Sequence, residues 1–192
     1  MTQTETPPVR RSGRLPGDGD MWVMVLGDMV IFAGYFIVFL IYRTMNPAEF
    51  LAAQQHLNIT VGVVNTVFLL TSSWFVARAV LAARAGQHQM ATRWVYAGAV
   101  GGVAFMVLKG YEWVTKIAAG HTNSEMFFSF YYVITGVHLL HVLIGLIVLG
   151  VLVRELRNPG RRRPAMVETG AIYWHMVDLL WVIIFALFYV MR

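Results

Sequence analysis

Long apolar runs separated by short polar stretches occupy almost the whole chain. Five runs stand out, at residues 21–43, 58–83, 91–117, 125–156 and 168–191. Each reaches the about 20 residues that an α-helix needs to cross the hydrocarbon core of a bilayer. Spans of a membrane β-barrel are about ten residues long and alternate in polarity; these runs are longer and continuously apolar, so the pattern predicts helices. The fourth run is the longest and is expected to tilt or to project beyond the bilayer. The intervening stretches are too short to hold a soluble domain, and no internal repeat relates the spans, which argues against a transporter built from inverted repeats. The expected fold is an all-α integral membrane protein, a five-transmembrane-helix bundle at residues 21–192.

Composition agrees with that pattern. The chain is 58% hydrophobic and 13% charged, with a mean hydropathy of +0.61, whereas soluble domains carry about 25% charge. Residues 1–20 are polar and contain Pro7, Pro8 and Pro16, so they read as a disordered tail. The run that begins at Met21 is too long for the apolar core of a signal peptide and is expected to be retained. The absence of cysteine excludes disulfides, thiolate metal sites and iron–sulfur ligation.

A net charge of +5 and a pI near 9.8 would suit a nucleic-acid partner, but the placement of the charges argues otherwise. Eleven of the 15 Lys and Arg residues fall in the tail or in the second and fourth loop regions: Arg10, Arg11, Arg14, Arg78, Arg84, Arg93, Arg154, Arg157, Arg161, Arg162 and Arg163. Arg43, Lys116 and Arg192 lie on the opposite side, with Lys109 inside a span. By the positive-inside rule the N-terminus is cytoplasmic and the C-terminus periplasmic. The basic balance is thus a matter of topology, with Arg161–Arg163 suited to anionic lipid, and no nucleic acid is implied.

Two strings carry the chemistry. T-G-V-H-L-L-H at residues 135–141 and Y-W-H-M-V-D at residues 173–178 place three histidines and a carboxylate within spans. Ionisable groups there are costly and point to function. Thr135, His138, His141 and Gly145 follow spacings of three and four and fall on one helical stripe. Trp174, His175, Asp178, Trp181 and Phe185 are expected to share another, with both stripes facing the bundle interior. Three readings compete, beside haem ligation by the same histidines. His138, His141, His175 and Asp178 offer nitrogen and oxygen donors to a metal, but the usual i, i+4 histidine pair or repeated Glu-x-x-His is missing. They also suit an interhelical hydrogen-bond network with Thr135, because lipid offers polar groups no partners. The third reading is proton handling, which the histidine pKa allows. No metal site and no catalytic residue is assigned from these residues.

Asp28 lies about two turns into the first span, where it can bond a histidine of another helix or handle protons. In the third span Lys109, Glu112 and Lys116 share one face and can pair, with the lysines expected to snorkel toward headgroups. Asn65, Thr66, Thr71, Ser72 and Ser73 in the second span, and Gly98, Gly101 and Gly102 in the third, suit close helix contacts. Trp22, Tyr42, Trp94, Tyr111, Trp113, Tyr173 and Trp174 lie near span ends and read as an interfacial aromatic belt. Phosphate-binding glycine loops, hydrolase serine motifs and haem attachment motifs are all missing.

Taken together, the spans resemble subunit III of the haem-copper respiratory oxidases from about Met21 to Arg192. G-D-M-V-I-F-A-G-Y-F at residues 27–36 is similar to the family's S-E-x-M-F-F-A-G-x-F, with Asp28 for the usual Glu. N-T-V-F-L-L-T-S-S at residues 65–73 is similar to N-T-x-x-L-x-S-S, and Tyr111-Glu112 to the family's pairing of those residues. The fourth and fifth spans carry T-G-x-H-x-x-H-V-x-x-G and Y-W-H-x-V-D-x-x-W in the right order. The first span and the Leu-Leu-His variant are most similar to the small five-helix branch associated with nitric oxide reductases. The resemblance implies a non-catalytic accessory subunit in the bacterial inner membrane. It would have no haem or copper of its own, would bind phospholipid, and would sit beside a haem-bearing catalytic subunit that reduces oxygen or nitric oxide. It implies support of assembly, stability and proton uptake, with Asp28 and Glu112 as candidates for a proton- or lipid-linked carboxylate. The residues alone leave two other functions open, an independent histidine-site metalloenzyme and a proton-coupled carrier.

Overall fold

The computed structural model describes residues 19–120, 122, 125–158 and 164–191. Residues 1–18 of the expected tail, the Arg161–Arg163 stretch and Arg192 lie outside them. The helices are α1 (Gly19–Met45), α2 (Pro47–Gln54), α3 (Ile59–Arg84), α4 (His88–Ala118), α5 (Met126–Arg157) and α6 (Pro164–Phe185). A π-helical turn, Ala186–Val190, continues α6. All but α2 are long and apolar enough to cross a membrane, and these five match the five runs. Gly19 and Asp20, expected in the tail, instead form the start of α1, where Asp20 sits at the positive end of the helix dipole.

The short α2 has no apolar run of its own. Pro47 opens it, at a position where the missing N–H costs nothing. It is held by Phe50, which is fully buried and packs at 5.7 Å ring separation on both Phe39 of α1 and Phe127 of α5. The Asn58 side chain then accepts from the Thr60 N–H at 3.0 Å and caps α3.

Helices α3, α4, α5 and α6 close into a four-helix bundle in which each packs on two others, α3 against α4 being the most extensive contact. Helix α1 lies outside this bundle, against α6 and α5, with Val23, Leu26, Val30 and Ile31 exposed. An apolar outer face and buried polar groups are what a lipid surround requires.

Trp174 shows how the bundle closes. A Cβ added at Gly102 of α4 would lie 2.6 Å from its ring, and one at Gly145 of α5 2.8 Å, so the indole occupies a slot that only glycine leaves open. Its Nε1–H donates to Ser72 Oγ at 3.1 Å, and Ser72 donates to the Gly98 carbonyl at 2.6 Å. This corrects the expectation that Tyr173 and Trp174 belong to the interfacial belt: each is 1% exposed. The physical reason is that α6 begins at Pro164. Position 174 is therefore almost three turns inside the helix, about 15 Å from its start.

Candidate functional site

Among the described residues two polar centres stand out within the spans, both sharing α5, the one through Tyr131 and the other through His141. The deeper one grows from the i, i+3 pair on α4. Lys109 is completely buried and Glu112 is 3% exposed. Lys109 Nζ donates to Glu112 Oε2 at 3.0 Å, to the Tyr131 hydroxyl of α5 at 2.7 Å and to the Tyr189 hydroxyl at 2.8 Å. An ammonium has three N–H donors, so these three partners saturate it. Tyr189 donates in turn to the Glu112 carboxylate, 2.7 Å from Oε1 and 2.9 Å from Oε2. The faces of Tyr131, Trp181 and Tyr189 lie 4.5, 5.0 and 5.2 Å from the ammonium, a cation–π cage. The cluster is electrically neutral as a zwitterion and fully hydrogen-bonded, which is what makes a buried ion pair tolerable.

The π turn delivers Tyr189 to this cluster. Its wider backbone spacing ends with the Met191 N–H donating to the Ala186 carbonyl at 2.9 Å. Arg43 of α1 holds the Met191 carbonyl at 2.6 Å, and Gln54 of α2 holds it at 2.9 Å. Lys109 therefore does not snorkel as expected, because partners on α5 and the π turn satisfy it inside the bundle. Lys116 does reach outward and donates to the His56 carbonyl.

The second centre joins α1 to α5. His141 Nδ1 lies 2.8 Å from the Val137 carbonyl of its own helix, and a carbonyl only accepts, so Nδ1 carries a hydrogen. Nε2 then faces Asp28 Oδ2 at 3.5 Å, with the two side chains 15% and 20% exposed. A neutral imidazole in this tautomer and an ionised carboxylate would present lone pair to lone pair. The contact is attractive only when one further proton resides on the pair, either as imidazolium or as carboxylic acid. Phe32, one turn beyond Asp28, meets the His141 ring edge-on at 5.4 Å, and the Tyr173 hydroxyl donates to the His141 carbonyl at 3.3 Å.

The remaining candidates separate. His175 Nδ1 is 2.5 Å from Ser73 Oγ of α3, and Asp178 interacts with the same hydroxyl. His175 is exposed, not interior as expected from its grouping with Trp174. At 100° per residue it sits over a quarter of a turn away from Trp174 and Trp181. His138 is fully buried between Phe105 and Trp181, at ring separations of 5.7 and 5.4 Å, and neither ring nitrogen has a hydrogen-bond partner. Thr135 donates within its own helix to the Tyr131 carbonyl at 2.5 Å. The structure thus brings Asp28 to His141, and His175 to Ser73, but does not bring the three histidines together. Among the described residues no three His, Cys, Asp or Glu converge as a metal site.

Sequence reasoning missed Tyr131 and Tyr189 as partners of Lys109. The signal was the buried i, i+3 charge pair itself, which demands further donors and acceptors from other helices.

Comparison with known proteins covers nearly the whole chain. The family model described as cytochrome c oxidase subunit III matches residues 14–192. A protein of Synechocystis sp. named cytochrome c oxidase subunit 3 is 31% identical over 172 residues, 88% of this chain and 73% of the relative. One of the same name from Thermostichus vulcanus is 31% identical over 173 residues, 88% of this chain and 84% of the relative. A protein of Aeropyrum pernix named heme-copper oxidase subunit I+III is 28% identical over 179 residues, covering 88% of this chain and 22% of that longer protein. With the two histidine-bearing spans and the five-span bundle in place, the extent of these matches leads to one conclusion: the chain belongs to the cytochrome c oxidase subunit III family.

Proposed function

We propose that this chain is the non-catalytic accessory subunit of a bacterial haem-copper oxidase in the inner membrane, and that the Asp28–His141 pair holds a proton at the α1–α5 contact. The observation that carries the second part is the hydrogen bond from His141 Nδ1 to the Val137 carbonyl, which leaves Nε2 and Asp28 in need of a shared proton. The pair is also partly exposed, so water can reach the proton that the contact needs. Asp28 is the proton-linked carboxylate in this reading. Glu112 is the structural one, because its oxygens are committed to Lys109 and Tyr189.

The chain contributes no redox centre; haem and metal reside in a catalytic partner subunit. The relative whose name joins subunits I and III in one protein supports that partnership. The relatives named for cytochrome c oxidase favour oxygen over nitric oxide as the substrate of the complex, while the wording of the first span is what favours nitric oxide. The clustering of basic residues supports a cytoplasmic N-terminus.

The test is turnover of the intact complex over time. Asp28→Asn and His141→Gln are each expected to shorten sustained turnover several-fold with the haem spectrum unchanged, and the double variant to be no worse than the more severe single one. An unchanged time course in both variants would refute the proton-holding pair. Loss of the haem spectrum would replace it with a role in assembly.

A further inference from the structure

The α3–α4 hairpin carries a second polar feature, on its outer face near the Gly86 turn. Arg78 of α3 is exposed, and its guanidinium lies 6.0 Å from the Trp74 ring and 5.8 Å from the Trp94 ring. Phe75 stacks on Trp94 at 5.6 Å. Among the described residues Arg78 has no hydrogen-bond or ion-pair partner, in contrast to Arg84, which is 2.7 Å from Glu168. A groove of about 250 Å³ opens beside it, lined by Arg78, Leu81, Gln87, Met90 and Trp94 among others. Gln87 and Met90 continue into a second hollow that includes Arg93. Among the described residues no carboxylate lines either one.

Depth identifies the occupant. A helix of 26 residues is about 39 Å long, longer than the about 30 Å hydrocarbon core. Arg78 lies six residues before the end of α3, about 9 Å inward along the helix axis. From there its stem reaches the boundary where phospholipid phosphates lie. A cation at that level without a carboxylate needs an anion, and tryptophans belong at the same level.

We propose that this groove binds one anionic phospholipid. Its phosphate sits on Arg78 between Trp74 and Trp94, its headgroup oxygens reach Gln87 and Arg93, and its acyl chains run along the α3–α4 face. The Trp pair fixes the plane of the guanidinium and so orients its donor fork toward the phosphate. The site lies on α3 and α4, away from the Asp28–His141 contact, and stands independently of the role assigned to that pair.

The test is native mass spectrometry of the chain with its accompanying subunits, extracted in mild detergent and equilibrated in nanodiscs of phosphatidylglycerol in phosphatidylcholine. The wild type is expected to retain one phosphatidylglycerol on this chain in preference to phosphatidylcholine. Arg78→Gln should lower that retention about fivefold, the effect of one cation near a membrane surface. Trp94→Leu should lower it less, and Arg154→Gln, which removes the same charge from α5, should leave it unchanged. Absence of a preference in the wild type, or equal losses in Arg78→Gln and Arg154→Gln, would overturn the site. Displacement of the lipid by millimolar inorganic phosphate would show that a free anion, not the lipid, is the ligand. Full retention in Arg78→Gln would likewise overturn it, because the lipid would then be held elsewhere.

Discussion

Lys109 Nζ lies 3.0 Å from Glu112 Oε2, with 0% and 3% of the two side chains exposed. The pair links α4 to α5 and to the π turn through Tyr131 and Tyr189. Removing one member of such a pair strands the other charge and costs about 3–5 kcal/mol. Lys109→Met should therefore lower the unfolding temperature of the detergent-solubilised protein sharply. The double variant Lys109→Met with Glu112→Gln should recover a large part of the loss. An unchanged unfolding temperature in Lys109→Met would contradict the assigned ion pair.

The two tyrosines at this pair are not equivalent. Tyr189 donates to the carboxylate and accepts from the ammonium, whereas Tyr131 accepts from the ammonium and lies 3.3 Å from the Tyr189 hydroxyl. Hydrogen bonds to charged groups contribute about 1.5–3 kcal/mol each. Tyr189→Phe is expected to destabilise more than Tyr131→Phe in the same thermal assay; the reverse order would mean that the π turn does not seat Tyr189 as described.

The slot for Trp174 gives a packing prediction. Gly145→Ala places a methyl group 2.8 Å from the indole, an overpacking expected to cost about 1–3 kcal/mol. Trp174→Phe should relieve part of that clash, so the double variant should lose less than the sum of the single losses. Additive losses in a double-mutant cycle would contradict the contact.

Arg43 ties the C-terminal turn to α1 through the Met191 carbonyl. Arg43→Ala should raise hydrogen exchange at the amides of residues 186–191 about tenfold, as expected for losing one charged hydrogen bond. Exchange unchanged there would show that Gln54 alone holds the turn.

The spans were legible because a bilayer imposes a length and a polarity that the chain displays residue by residue. The α2 helix was not, since its eight residues bury only Phe50, Ala53 and Gln54, one turn of a helical face that is too short for the period to repeat. Asp28 and His141 were both legible as candidates, but their meeting depended on how α1 docks against α5, which spacing within one helix does not encode. The same limit hid Tyr131 and Tyr189 from Lys109. The grouping of His175 with Trp174 failed for a simpler reason: adjacent residues on a helix point 100° apart, and the side of α6 that enters the core belongs to the tryptophans.

The most direct test of the account is purification of the tagged chain from native membranes in mild detergent, with mass spectrometry and a reduced-minus-oxidised spectrum of the eluate. The account predicts that a haem-bearing catalytic subunit co-elutes and that the haem signal follows that subunit, not this chain. A chain that elutes alone, without haem and with stoichiometric bound metal, would contradict it.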